Sequence, residues 1–141
     1  MNITITDELR IEDTEEIRNH LKTHNRQFVG EILNKNIGVF FLDDNGTKIA
    51  GLTGSTLGLW LNIDLLWVSE TLRGRGVGSK LIRAAEEHAV ANGCRFSRVD
   101  TFSFQAKPFY EKLGYQLQMM LHNCPVEHER YFFTKTLADP R

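Results

Sequence analysis

The stretch Arg73-Gly74-Arg75-Gly76-Val77-Gly78-Ser79 lies between an apolar run, residues 63–68, and a helical pattern, residues 80–92. A glycine-rich turn between a strand and a helix is typical of a phosphate-binding loop, because glycines let the backbone approach a ligand without an intervening Cβ. The first N–H groups of a helix have no partner within the helix, and they attract anions. Arg73 and Arg75 add two permanent positive charges. The stretch therefore predicts a strand, a phosphate-binding turn and a helix.

Two common phosphate-loop patterns fit this stretch poorly. A Walker A loop ends in Gly-Lys-Ser/Thr, whereas this chain has Gly78-Ser79-Lys80, so the lysine comes one position late. A dinucleotide fingerprint read from Gly74 meets Gly76 correctly but has Ser79 at its last glycine position. A nucleotide-binding P-loop protein is therefore a distant alternative.

A third pattern, Arg/Gln-x-x-Gly-x-Gly, is matched by Arg73, Gly76 and Gly78. It resembles the acyl-CoA pyrophosphate loop of the GNAT acetyltransferase superfamily. Downstream, the segment Ala106-Lys107-Pro108-Phe109-Tyr110-Glu111-Lys112-Leu113-Gly114-Tyr115 resembles the Ala-x-x-Phe-Tyr-x-x-x-Gly-Phe/Tyr segment of the same superfamily. Either motif alone is weak, but the two in this order form a strong signal together. The resemblance is best over residues 63–115 and is closest to small single-domain bacterial members.

Length and composition set broad limits. The 141 residues predict a single acetyltransferase domain over residues 1–141, and 41% hydrophobic residues are enough for one core. A net charge of -1 gives no indication of the excess positive charge that binds nucleic acid or a membrane surface. The start of the chain lacks signal-peptide features, and no apolar run approaches transmembrane length. We therefore expect a cytoplasmic protein, with no nucleic-acid or membrane partner.

Hydrophobic periodicity and turn residues predict alternating strands and helices. The β-branched residues at 2–6 predict a first strand, and a helix is predicted from Asp13 or Thr14 to about Val29. A meander of strands then follows, with a hairpin turn at Asn45-Gly46. The predicted strands after the first helix span residues 38–42, 48–57, 59–68, 95–101, 115–121 and 131–137, and further helices span 76–91 and 105–112.

These elements predict an α/β fold with a mixed, mainly antiparallel sheet of six or seven strands flanked by helices. The helix between strands 59–68 and 95–101 predicts that these two run parallel, with a right-handed crossover. Gly51 and Gly54 within a strand suggest a bulge or a close backbone approach. The GNAT resemblance adds that the central parallel strands splay apart and that acyl-CoA enters the gap.

Acetyl transfer to an amine needs a neutral amine, a stabilised oxyanion and a proton for the leaving thiolate. The resemblance implies that Tyr110 is the general acid, and its phenol holds a proton at neutral pH. Asp64 is the favoured general base, acting directly or through water, since an acid inside an apolar strand is out of place unless it is used. Glu70, Asp100 and His128 are further candidates for the base.

The resemblance also implies acetyl-CoA as co-substrate and no metal. Many family members carry an asparagine shortly before the second motif that reaches the CoA arm; this chain has Ser103 there, with Gln105 as a possible substitute. The predicted cofactor contacts other than Ser103 lie at the end of the central strand and in the glycine loop: Val68, Ser69, Arg73, Gly74, Arg75, Gly76, Val77, Gly78 and Ser79.

The acceptor is expected to be a primary amine of a small molecule, held near aromatic walls. The candidate aromatic residues near the acceptor are Trp60, Trp67, Phe102, Phe104 and Tyr131. Two alternatives stay open: acetylation of a protein lysine or N-terminus, and a non-catalytic acyl-CoA-binding module that keeps the glycine loop but lacks the acid and base. An apolar, aromatic last strand would also permit a homodimer.

Overall fold

The computed structural model describes residues 1–138 of the 141-residue chain. They form two compact units, Met1–Ile32 and a second unit from Leu33 onward. The last three residues of the predicted domain lie outside the described residues, and the single domain over 1–141 stays a prediction. None of the helices within residues 1–138 combines the length and the apolar character that a membrane crossing requires.

The first unit contains helix α1, Ile11–Val29. The strand predicted at residues 2–6 is wrong, because these residues are exposed and pair with no strand of the described chain. Alternating β-branched residues favour an extended backbone, but a strand is stable only when a neighbour completes its hydrogen bonds. Helix α1 begins earlier than predicted, and the Arg10 N–H donates to the Asp13 carboxylate over 3.3 Å.

The second unit is a sheet covered by helices, and it confirms the predicted mixed, mainly antiparallel architecture. Its helices are α2, Val77–Ala91, and α3, Lys107–Lys112. Its strands are β1 (Asn34–Leu42), β2 (Lys48–Leu57), β3 (Trp60–Val68), β4 (Phe96–Phe102), β5 (Gln116–Leu121) and β6 (Arg130–Thr136). The six strands lie in the order β1-β2-β3-β4-β6-β5, with β3 and β4 as the parallel pair.

One face of the sheet carries the core, and α2 packs on it. Four residues of α2 at a spacing of four, Val77, Leu81, Ala85 and Ala89, are all buried, so they form the helix face that meets the sheet. They pack in one cluster with core residues of the strands, including Leu52, Leu61, Val99 and Phe133. Burying one leucine or valine side chain stabilises a fold by about 1.5–3 kcal/mol, so this face fixes α2 on the sheet.

The parallel pairing of β3 with β4 is short. It runs from Trp60 opposite Phe96 to Ile63 opposite Val99 and then stops. Beyond this point β3 continues to Val68 and β4 continues to Phe102. This divergence, called the fork below, confirms the predicted splay of the central parallel strands.

A bulge in the sheet lies beside the fork. The register between β2 and β3 shifts so that Thr53 pairs with Leu65 while Gly54 pairs with Ile63, which leaves Asp64 without an opposite residue in β2. A Cβ on Gly54 would collide with the carbonyl group of Asn62. A bulge bends the strand and increases its twist. The bulge therefore lies at the residue where β3 leaves β4, and glycine is required for it.

Strand β5 forms one edge of the sheet, and all six of its residues are exposed. Four of them are apolar: Leu117, Met119, Met120 and Leu121. An exposed apolar edge strand favours pairing with another chain. The homodimer stays a prediction.

Replacing Gly54 by alanine should destabilise the second unit, because the new Cβ meets backbone that cannot move without shifting the bulge. We expect the free energy of unfolding in urea to fall by about 1–3 kcal/mol. Gly51→Ala is the matched control in the same strand, since its Cβ would meet the ring of Phe40, 3.1 Å away, and a side chain can turn aside. An equally small effect of both changes would contradict the close approach at Gly54.

Candidate active site

The N-terminus of α2 is open toward an anion. Its N-cap, Gly76, has φ +76°, and Gly74 has φ +77°, both in the left-handed region that favours glycine. The first hydrogen bond within the helix runs from the Lys80 N–H to the Gly76 carbonyl. Gly76 provides no side-chain cap, and the first turn of α2 contains no acidic residue. The N–H groups of the first turn are therefore suited to a pyrophosphate.

The third glycine of the loop is needed for packing. A Cβ on Gly78 would lie 3.2 Å from the ring of Phe109 and 3.7 Å from a methyl group of Val68. Phe109 belongs to the second sequence motif, in α3, and Val68 ends β3. Gly78 thus brings the two motifs together at the end of the central strand.

The arginines of the loop have different surroundings. The Arg73 Nε–H donates to the Val68 carbonyl over 3.3 Å, which ties the loop to the end of β3. A guanidinium group has five N–H donors, so this bond leaves others for a phosphate. Arg75 is exposed. Next to Val68, the Ser69 N–H donates to the Ile49 carbonyl over 3.0 Å, so a pantetheine contact of Ser69 would have to use its carbonyl or hydroxyl oxygen.

Ser103 and Gln105, the residues proposed in place of the family's asparagine, are bonded within the protein. The Ser103 hydroxyl lies 3.3 Å from Nδ1 of His128 and accepts a hydrogen bond from the Glu129 N–H over 3.1 Å. The Gln105 side-chain oxygen accepts hydrogen bonds from the Phe102 N–H and the Thr101 hydroxyl. Ser103 thus holds the loop between β5 and β6, and its contact with CoA stays a prediction.

Tyr110 is buried on the core face of the sheet. Its ring lies 5.0 Å from the ring of Phe109 and 6.2 Å from the ring of Phe133, measured between centroids. Burial, and secondly the negative charge of Asp100, raise the pKa of Tyr110 to about 12. The phenol therefore holds its proton throughout the neutral range.

A cavity of about 150 Å³ lies at the fork. Along β4, Val99 and Thr101 are buried while Arg98 and Asp100 alternate to the other face, and both of these line the cavity. Phe133 also lines it and touches Tyr110 from the core side. The full lining comes from β3, β4 and β6: Ile63, Asp64, Arg98, Val99, Asp100, Phe132, Phe133 and Thr134.

Two of the four candidate bases line this cavity, and their surroundings differ. Asp100 is committed to an ion pair, because Nε and Nη2 of Arg130 both lie 2.9 Å from its Oδ1. Asp64 is exposed at the bulge and belongs to none of the ion pairs found within residues 1–138. Glu70 and His128 are exposed and are not part of the cavity lining. Among the four candidates, the geometry therefore favours Asp64 as the general base.

The predicted aromatic walls divide into two groups. Trp60 packs against Phe96 with 5.0 Å between ring centroids at the start of β3, the end opposite the fork, and its place near the acceptor stays a prediction. Phe102, the last residue of β4, and Phe104 stack in parallel with 5.3 Å between ring centroids. Trp67 and Phe104 are about half exposed, at 53% and 56%, and present their rings to solvent.

The sequence analysis missed a buried polar network behind the site. The Tyr115 hydroxyl donates to Glu86 over 2.9 Å and accepts from Ser97 over 2.8 Å, and Lys135 lies 3.0 Å from Glu86. Burial raises the pKa of Tyr115, with a further contribution from the charge of Glu86. The network joins α2 to β4 and β6. A signal existed, since Glu86 occupies the apolar face of α2 directly after Ala85.

The open N-terminus of α2, the fork and the buried Tyr110 are features that an acyl-CoA site requires. Residues 4–115 match the Acetyltransferase (GNAT) family. The blasticidin-S acetyltransferase of Streptomyces morookaense is 39% identical over 95 residues, 67% of this chain and 70% of that protein. An acetyltransferase of Agrobacterium fabrum is 33% identical over 115 residues, 82% of this chain and 84% of its own. A crystal structure of an acetyltransferase from Agrobacterium tumefaciens has a TM-score of 0.91 at 29% identity, covering 96% of this chain and 99% of that one.

The chain belongs to the GNAT acetyltransferase family, and it is an acetyl-CoA-dependent N-acetyltransferase. The predicted resemblance, the enzyme class and the co-substrate are thereby confirmed. The roles of individual residues stay predictions. Among them, the glycine loop fits a CoA pyrophosphate well, because its helix terminus is uncapped and free of carboxylates.

Arg75→Gln should weaken acetyl-CoA binding, because it removes an exposed positive charge beside the α2 terminus. We expect the dissociation constant to rise about tenfold, as for the loss of a charge-assisted hydrogen bond, with little change in thermal stability. Titration calorimetry with acetyl-CoA measures the effect. Arg83→Gln, an exposed arginine further along α2, is the control and should leave binding unchanged. Equal effects of the two changes would exclude a local contact at Arg75.

Proposed function

We propose that this enzyme transfers the acetyl group of acetyl-CoA to the primary amine of a small molecule, by direct attack of the amine on the thioester. The observation that carries the proposal is the fork, which opens a cavity lined by Asp64 in the middle of β3. The glycine loop follows β3 after Ser69 and one short 3-10 turn, Glu70–Leu72, so a pyrophosphate held there allows the pantetheine arm to reach the fork. The blasticidin-S acetyltransferase, by its name, acts on a small molecule, which supports this acceptor class.

Asp64 is assigned as the general base. A free alkylamine has a pKa of about 10 and arrives protonated, so it must lose a proton before its lone pair can attack. Asp64 takes this proton, directly or through one water, because its carboxylate lines the cavity and forms no ion pair within residues 1–138. The nitrogen then bonds to the carbonyl carbon and becomes positively charged. When the carbon–sulfur bond breaks, the nitrogen loses this second proton to water, the sulfur receives one proton, and the products are the amide and free CoA thiol.

The oxyanion of the tetrahedral intermediate needs hydrogen-bond donors. Beyond Ile63, the backbone of β3 no longer pairs with β4. Backbone N–H groups that a neighbouring strand leaves unpaired can donate to a ligand, and such fixed donors stabilise a developing negative charge. We assign this role to the β3 backbone toward Val68.

Tyr110 is assigned to the leaving sulfur. A thiol has a pKa of about 8.5, so complete proton transfer from a phenol with a pKa of about 12 is unfavourable by about 5 kcal/mol. With this pKa, Tyr110 can donate a hydrogen bond to the developing thiolate without transferring its proton completely. Proton transfer follows when positive charge near the site lowers the phenol's pKa.

Tyr110→Phe should lower kcat about 100-fold, the usual size of a general-acid contribution, while the KM for acetyl-CoA changes little because the ring still packs on Phe133. With a pKa of about 12, ionisation of Tyr110 should not reduce wild-type activity below about pH 11. Thiol release measured against pH checks both points. Tyr131→Phe removes a phenol hydroxyl outside the cavity lining and is the matched control, which should keep the wild-type kcat. A Tyr110→Phe enzyme with wild-type turnover would remove Tyr110 from the mechanism.

Asp64→Asn should lower kcat/KM for the amine about 100-fold at neutral pH, and the deficit should shrink as pH approaches the amine's own pKa. The measurement is thiol release from acetyl-CoA with a panel of small primary amines and, in parallel, lysine-containing peptides. Glu70→Gln controls for a carboxylate outside the cavity, and Asp100→Asn tests the second carboxylate in it.

Three outcomes of this series contradict the proposal. A larger loss at Asp100→Asn would move the base to Asp100. An unchanged pH profile of Asp64→Asn would exclude Asp64. Acetylation of the peptides without any small amine would replace the proposed acceptor class by a protein.

A further inference from the structure

The fork cavity contains two opposite charges that are not paired with each other. Three charged side chains line it: Asp64, Arg98 and Asp100. The charge of Asp100 is matched by Arg130, 2.9 Å away. Asp64 and Arg98 remain, and neither belongs to an ion pair within 4.0 Å among residues 1–138.

A neutral group holds Arg98 in place. Its Nε–H donates to the side-chain oxygen of Asn62 over 2.6 Å, across the last paired part of β3 and β4. An amide fixes the guanidinium group without cancelling its charge, and the terminal N–H groups stay available. A guanidinium group binds a carboxylate through two parallel N–H···O hydrogen bonds.

Arg130 is less suited to bind a ligand. Its guanidinium carbon lies 5.0 Å from the ring of Phe132 and 5.6 Å from the ring of Phe102. These rings and Asp100 satisfy its charge. Arg98 is therefore the cationic side chain of the cavity lining whose charge has no counterpart among residues 1–138.

We propose that the acceptor carries a carboxylate close to its amine, as an amino acid does, with the carboxylate bound by Arg98 and the amine facing Asp64. This inference rests on the proposed function and narrows its substrate class. A cavity of about 150 Å³ is large enough to hold a benzene molecule, which corresponds to the head group of a small amino acid. A zwitterion would neutralise both unpaired charges at once.

The test compares acceptors that share an amine and differ in one group: alanine with alaninamide, and β-alanine with its amide. Wild-type kcat/KM, corrected for the fraction of neutral amine, should be about 10- to 100-fold higher for alanine and β-alanine than for their amides. This factor corresponds to the usual free-energy contribution of a hydrogen bond to a charged group. Arg98→Gln should reduce this ratio to about one, chiefly by raising the KM of the carboxylate acceptors. Arg98→Lys, which keeps the positive charge but loses the two-point geometry of the guanidinium group, should restore part of the ratio.

Arg83→Gln is the control for loss of an arginine outside this cavity and should keep the wild-type ratio. A wild-type ratio near one, a ratio that survives in Arg98→Gln, or turnover of other amines with none of the four probes would each overturn the inference while leaving the proposed function in place. If no small amine of any kind releases thiol, the proposed function itself fails, and this inference fails with it.

Discussion

The parallel ladder between β3 and β4 ends at Ile63 and Val99, and the proposed active site depends on that ending. If β3 and β4 continued to pair, their facing backbone N–H groups would all be used, and no gap would open between the two strands. The bulge at Asp64 explains why pairing stops there, because an extra residue in β3 increases its bend and twist. Gly54 makes this geometry accessible, since any side chain at that position would meet the Asn62 carbonyl.

The fork also connects two different environments. Tyr110 lies in the apolar core, where burial keeps its proton in place. Asp64 and Arg98 lie on the opposite, more polar face, where charged side chains remain solvated. In the proposed mechanism, a thioester located between the strands is reached by Tyr110 as the acid from the core face and by Asp64 as the base from the polar face. The sheet thus separates two groups whose proton affinities need different surroundings.

Local patterns in the sequence predicted the parts of the structure that are governed by local rules. The glycine loop, the start of α2 at Val77 and its buried face follow from spacing and from backbone freedom at glycine. The strand predicted at residues 2–6 failed because pairing depends on a partner elsewhere in the chain. The bulge at Asp64 had only a partial signal in Gly54. The Asn62–Arg98 contact and the Asp100–Arg130 pair are products of strand register, which single-sequence patterns do not determine.

In the proposed mechanism, electrostatic coupling through Asp100 gives the order of the proton transfers a physical basis. In the free enzyme the negative charge of Asp100 contributes to the high pKa of Tyr110 and makes the phenol a poor acid. When the amine attacks, its nitrogen gains a positive charge in the cavity that Asp100 lines. That charge opposes the effect of Asp100 and lowers the pKa of the phenol at the stage when the sulfur begins to leave. In this proposal the attack itself creates the condition that activates Tyr110, so the acid is weak before the acceptor has bonded and stronger afterwards.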